Sequence, residues 1–210
     1  MMITDNRKPK WFFYPGWVVL SVISFLVAWA ICWALISQVE KVVGDTMLVR
    51  GQTHITEDFL LTYMYFPVLG LLTGFLQYLL LRRYLPRMGW WIAATALGWS
   101  LVSIGDRLLY LTLYTTLGAD SIWFAALMVV LVSGSVGLAQ WLVLRQSVHH
   151  AAWWILANVL GWGIAALVAG TTYLLALSII PAIATSVVLW LLLDQLPHSD
   201  NGRNAPLNPV

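Results

Sequence analysis

The chain has 210 residues, 60% of them apolar and 10% charged, with a net charge of +2 and a mean hydropathy of +0.81. A soluble domain averages about 45–50% apolar and ~25% charged residues, and at this length roughly 30% of its surface would stay in water. Such a composition excludes a soluble globular enzyme and a disordered chain, and the weak, scattered charge excludes a nucleic-acid footprint.

Apolar runs of about 20 residues are long enough to cross a bilayer. In chain order, six are expected at about 14–36, 59–81, 90–110, 122–144, 153–172 and 174–193. Arg7, Lys8 and Lys10 precede the first run, which is longer than the roughly 7–15 apolar residues of a signal peptide; it reads as an uncleaved span. Cys32, the single cysteine, lies in that run, which excludes an intrachain disulfide and a Cys-based metal site. Between the first two spans, 37–58 forms an outer loop with mixed charge. From Ala151 to Leu193 there is no charge, so the last turn could fall anywhere from Gly170 to Pro181. The tail, 197–210, is polar and expected to fray.

The basic residues orient the spans. One side holds Arg7, Lys8, Lys10, Arg82, Arg83, Arg87, Arg145 and Arg203, the other only Lys41, Arg50 and Arg107. Eight against three is a positive-inside bias, which puts both termini in the cytoplasm and the chain in the inner membrane.

Shifting the sequence by 63 residues lays Gly70–Trp99 on Ser133–Trp162 without a gap, with 12 identities in 30 positions, among them Gly74/Gly137, Gln77/Gln140, Arg82/Arg145 and Trp99/Trp162. Each copy is a helix, a short cytoplasmic loop and a second helix, so the repeats are parallel, about 59–117 and about 122–176. The sixth and first spans are candidates for a degenerate third copy, closing three hairpins into a ring. The expected fold is therefore an all-α integral membrane protein, a single membrane domain over 1–210 with six transmembrane helices.

Gly70, Gly74 and Gln77 share a helix stripe, as do Ser133, Gly137 and Gln140. The following helices carry Ala94, Thr95 and Gly98, or Ala157, Asn158 and Gly161. Small residues four apart let helix backbones approach in lipid. At 1.5 Å per residue, Gly74 and Gly98 each lie ~12 Å from the cytoplasmic interface, so they are expected to face each other. Gln77 and Thr95 also share a depth, as do Gln140 and Asn158, and each pair is expected to hydrogen-bond, because a polar group in hydrocarbon needs a partner. Arg82 and Arg145 should snorkel to lipid phosphates, and Trp90, Trp91, Trp153 and Trp154 should form an aromatic belt. Asp106 and Arg107 are the adjacent opposite charges within a span; they are candidates for function, with snorkelling to the outer interface as the plainer role. His149 and His150 fall in a cytoplasmic loop and His54 in the outer one, so no span offers a haem-ligating histidine.

Gln140-Trp141-Leu142-Val143-Leu144-Arg145, its counterpart Gln77-Tyr78-Leu79-Leu80-Leu81-Arg82, and the Trp-Trp-Ile-x-Ala and Leu-Gly-Trp segments that follow each resemble an uncharacterised group of multi-pass membrane proteins of cyanobacteria and Chloroflexus-type phototrophs. The resemblance covers the second to sixth spans. It implies a phototrophic bacterial membrane and supplies no activity. Where that group has Tyr-Gly-Ala-Ile-Thr-Gly, this chain has Ile180-Pro181-Ala182-Ile183-Ala184-Thr185, without the glycines that would let the sixth helix approach its neighbour.

The spans hold no catalytic constellation. The leading expectation is a non-enzymatic accessory or assembly subunit of a larger membrane complex, photosynthetic or respiratory through the resemblance. Its partners would be membrane lipids and other membrane subunits, and lipid, carotenoid or chlorophyll could sit on its surface. The alternative is a small binding protein or transporter for a lipid, quinone or carotenoid, using a groove between the repeats.

Overall fold

The computed structural model describes residues 11–86, 88–117, 122–168 and 173–194, with side chains except at 105–115, 117, 122, 125 and 173–175. Arg7, Lys8, Lys10, Arg87, Arg203 and the 197–210 tail lie outside the described residues, as do the side chains of Asp106 and Arg107, whose backbone is helical.

Six helices carry the fold: α1 (Phe13–Val43), α2 (Thr56–Leu81), α3 (Trp91–Leu117), α4 (Ile122–Leu144), α5 (Trp153–Val168) and α6 (Tyr173–Asp194). Four of them contain a segment long and apolar enough to cross a membrane: Phe13–Val43, Thr56–Leu81, Ala126–Leu144 and Ala176–Asp194. Met88–Ile104 and Trp153–Val168 are shorter apolar helices.

The first helix overshoots its expected end at residue 36. Its 31 residues span about 46 Å at 1.5 Å per residue, more than a ~30 Å hydrocarbon layer. Gly44 stops it, with φ 92° and its N–H on Glu40 O at 2.8 Å, a conformation an L side chain resists. The outer loop that follows is not irregular. Strands β1 (Thr46–Val49) and β2 (Gln52–Ile55) pair antiparallel, Thr46 opposite Ile55 and Val49 opposite Gln52. Arg50 and Gly51 turn the hairpin with φ 52° and 81°, the two positive values of a type I′ turn. The all-α expectation is corrected here: Thr46-Met47-Leu48-Val49 and Gln52-Thr53-His54-Ile55 offer short β-prone runs on either side of a two-residue turn. Thr56 then ties the hairpin to the helix ends, its Oγ1 donating to Gly44 O (2.7 Å) and its N–H to Asp45 O (2.9 Å).

Helix α2 contains a π-turn at Leu61–Tyr65, immediately before Pro67 in the second position of the continuing α-segment. Proline cannot donate a backbone hydrogen bond, and a wider turn absorbs that gap. Helix α6 begins at Tyr173, so Pro181 lies inside a helix and not in the last turn.

Each helix packs on its predecessor and successor in the chain, and α6 packs on α1, closing a ring. One end of the ring gathers the start of α1 and both short loops: Phe13 meets the Tyr84 ring edge-on at 4.8 Å, and Ser147 Oγ donates to Pro86 O. That end is filled by Phe13, Trp17, Leu81, Leu85, Met88, Trp91, Leu144, Trp154 and Leu192, all buried. The β-hairpin lies beyond the far end of α1. The outer flanks are apolar too, with Leu71, Phe75, Leu97, Leu101, Ile104, Leu138 and Leu160 all exposed. A ring with apolar outer flanks suits a lipid surrounding.

Candidate binding site at the ring axis

The site begins with three tryptophans, one from each odd-numbered helix. Trp17 (α1), Trp91 (α3) and Trp154 (α5) meet edge-on at the axis, with centroids 5.7–6.4 Å apart. Each indole N–H donates to a side chain on an even-numbered helix. Trp91 donates to Gln77 Oε1 at 3.2 Å, Trp154 to Gln140 Oε1 at 2.9 Å, and Trp17 to Thr185 Oγ1 at 3.1 Å.

This geometry overturns two expectations. Trp91 and Trp154 are buried at 0% and 1% exposure, whereas their neighbours Trp90 and Trp153 are exposed at 73% and 57%. Consecutive helical residues point about 100° apart, so one of each pair faces outward and the other the axis. Nor do the glutamines bond to their hairpin partners. Gln77 Nε2 donates to Ser21 Oγ on α1 (3.2 Å), and Gln140 Nε2 donates to Thr95 Oγ1 on α3 (3.1 Å) and approaches Gln77 Oε1 (3.4 Å). Thr95 and Asn158 instead donate back to the carbonyls of Trp91 and Trp154, four residues before them. The missed signal is the indole N–H, a buried donor that requires an acceptor.

The small residues sit at helix contacts, in a different pairing from the facing glycines expected. A Cβ on Gly70 would come within 2.8 Å of Ala96 Cα, and one on Gly74 within 3.0 Å of Ile92 Cα, both across the α2–α3 contact. Gly137 approaches Ile155 and Asn158 in the same way. Gly98 does not meet Gly74; it turns to the next helix, where its Cβ would lie 2.9 Å from Val136 Cα. Gly161 likewise meets Pro181 Cα at 2.9 Å, so α6 approaches closely despite lacking glycines of its own. Depth along one hairpin does not reveal that α3 and α5 each have two neighbours in a ring. Ala157 and Ser133 are buried, and Ala94 packs against the axial core. Arg82 and Arg145 are exposed at their helix ends, their guanidinium carbons 5.9 Å and 4.9 Å from the Tyr78 and Trp141 ring centroids. Stacking over an aromatic one turn earlier holds each charge at the ring's rim.

Above the tryptophans, two neighbouring cavities lie along the axis. The lower, of about 60 Å³, is bordered by Ser21, Thr73, Gln77, Gln140, Asn158, Ser178 and Thr185, and none of its described lining residues carries a charge. The upper, of about 460 Å³, is apolar and aromatic and takes residues from all six helices. Phe25, Leu69, Trp99, Trp162 and Leu177 border both. Trp99 stacks on Phe66 (5.8 Å, 10° between planes) and meets Trp162 edge-on at 5.4 Å. The π-turn contributes Leu61, Thr62 and Tyr65 to the upper wall. A π-turn in a helix often marks a functional site, and the volume lies within the ~300–1,000 Å³ of small-molecule pockets.

No family model, curated protein or solved structure matches this chain.

Proposed function

We propose that the protein binds a small hydrophobic molecule, of the lipid, quinone or carotenoid kind, along the axis of its helical ring. The single observation that carries this reading is the 460 Å³ aromatic cavity lined by all six helices, beside a small polar one with which it shares five lining side chains. The ligand would lie inside the ring, not in a groove between two repeats. The alternative role, an accessory subunit of a larger complex, draws on exposed aromatics such as Trp29, Trp123 and Trp190. Lipid accommodates those equally well, so the cavity favours binding.

In this reading all six helices cross the cytoplasmic membrane. A helix wedged at equal depth between two spanning neighbours has the same layer to cross, which supports counting α3 and α5 with the other four. The basic short loops, sharing one end with the start of α1, support internal termini under the positive-inside rule. The ring also favours three related hairpins, α2–α3, α4–α5 and α6–α1. Each supplies an acceptor followed by a tryptophan, and eight residues beyond each tryptophan stands an aromatic at the cavity: Trp99, Trp162 and Phe25.

The test is purification in mild detergent, then organic extraction and mass spectrometry. Wild-type protein should retain a hydrophobic compound in near-stoichiometric amount. Val132→Trp, which intrudes on the upper cavity, should lower that amount without unfolding the protein. An empty wild-type protein, or equal retention by the variant, would refute axial binding.

A further inference from the structure

The three sectors of the ring are not equivalent, and the difference identifies the head of the ligand. In the first, the Gln77 amide bridges Trp91 on one side and Ser21 on the other. In the second, Gln140 bridges Trp154 and Thr95. Ser21, Thr95 and Asn158 each stand four residues beyond an axial tryptophan, so Asn158 is the residue that a third amide would engage. The third sector has Thr185 instead. Its hydroxyl accepts from Trp17 and donates back to Pro181 O, and it makes no hydrogen bond to Asn158. Asn158 is 4% exposed and donates to Trp154 O; among the described residues nothing donates to its Oδ1. The polar cavity therefore lies where a longer third side chain would reach, with the buried Asn158 in its lining.

An inventory of the remaining valences specifies the chemistry. Gln77 Oε1 already accepts twice and Gln140 Nε2 already donates twice. Gln77 Nε2 has one N–H left, Gln140 Oε1 one lone pair, and Asn158 an N–H and its carbonyl oxygen. Both donors and acceptors are on offer, with no ionisable side chain among the described lining. A charged headgroup would lose its hydration with no counter-charge to replace it. A volume of about 60 Å³ admits a few waters or the polar edge of one ring, and not a phosphodiester.

We propose that the axial ligand carries an uncharged hydroxyl or carbonyl head, as a quinone or a hydroxylated isoprenoid does, and that Asn158 is the residue that anchors it. This rests on the binding reading above and specifies its ligand class. The probe is 2,3-dimethoxy-5-methyl-6-decyl-1,4-benzoquinone, titrated into detergent-solubilised full-length protein. Quinone binding is read by quenching of tryptophan fluorescence, and decanoate and decane, the charged and headless comparators, by their displacement of the quinone and by retention on a desalting column. The quinone should bind at least tenfold tighter than either comparator. Asn158→Leu should weaken the quinone at least tenfold while leaving decane binding unchanged. Thr185→Gln, which supplies the missing amide, should raise the melting temperature and also abolish the preference for the quinone; it keeps the test intact if the leucine variant does not fold. Equal binding of all three probes, or undiminished quinone binding in both variants, would overturn the anchor while leaving axial binding in place. Binding of none of the three would overturn both.

Discussion

Gln140 Nε2 lies 3.4 Å from Gln77 Oε1, linking residues 63 positions apart across the axis of the ring. Gln77 touches Ser21, Trp91 and Gln140, and Gln140 touches Thr95, Trp154 and Gln77, so each amide joins three other helices. Gln77→Leu strands the Trp91 N–H and removes a partner from Gln140. Each buried polar group left unpaired costs about 1–3 kcal/mol, so the variant should be destabilised by that order. Gln77→Leu with Gln140→Leu should cost less than the sum of the two, because each single change also leaves the other amide short of a partner. Unfolding in mixed micelles by increasing sodium dodecyl sulfate measures both.

Two glycines on α4, three residues apart, should behave oppositely. A Cβ on Gly137 would press to 3.2 Å against Ile155 Cα and Asn158 Cβ, whereas one on Gly134 meets nothing within 4 Å. Gly137→Leu should lose about 1–3 kcal/mol through overpacking. Gly134→Ala should be neutral or gain roughly 0.5–1 kcal/mol from reduced chain freedom. The same unfolding assay separates them, and equal losses would show that α4 does not face α5 through Gly137.

The adjacent tryptophans give a second internal comparison. Trp91→Phe removes a donor from Gln77 and one edge of the axial triad, and should cost about 1–3 kcal/mol; Trp90→Phe, at an exposed position, should stay within roughly 0.5 kcal/mol. Acrylamide should quench the outer indoles and spare Trp17, Trp91 and Trp154, which spectra of the single-tryptophan deletions would register.

Orientation can be read with a membrane-impermeant maleimide on intact cells. Cys32 is buried and should not label. The reporters are Gln52→Cys in the hairpin and Gln146→Cys in a short loop, both exposed. Gln52→Cys should label from outside, and Gln146→Cys only after lysis. The reverse pattern would invert the proposed topology.

The hairpin turn should tolerate little at Gly51, whose φ is 81°. Gly51→Val forces a β-branched residue into the left-handed region, costing on the order of 1–2 kcal/mol locally. Hydrogen exchange over Thr46–Val49 and Gln52–Ile55 should accelerate, while α4 and α5 stay protected.

What could be read from the sequence follows from which forces are local. Helix positions and the Gly70–Gly74–Gln77 stripe follow from apolar run length and helical spacing, so they were legible. The identity of each amide's partner was not, because Gln77 reaches Ser21, 56 residues away, and Gln140 reaches Thr95, 45 away, and no spacing rule encodes such contacts. The Trp90–Trp91 and Trp153–Trp154 pairs did hold a usable clue: one helix face cannot display both members. The cavity had none, since an empty volume belongs to the arrangement of six helices and to no single one.

Nearest-neighbour packing has a consequence for biogenesis. Five of the six lateral contacts join consecutive helices, so each can form as soon as the next segment leaves the insertion machinery, with little loop entropy to overcome. Only the seam between the first and last helices must wait for the whole chain, and it is stitched by Trp17 to Thr185 and by Ser186 to Tyr14. Until that seam shuts, the ring is an open crescent, and a hydrophobic ligand of the proposed kind would have a sideways route in that does not thread past either end.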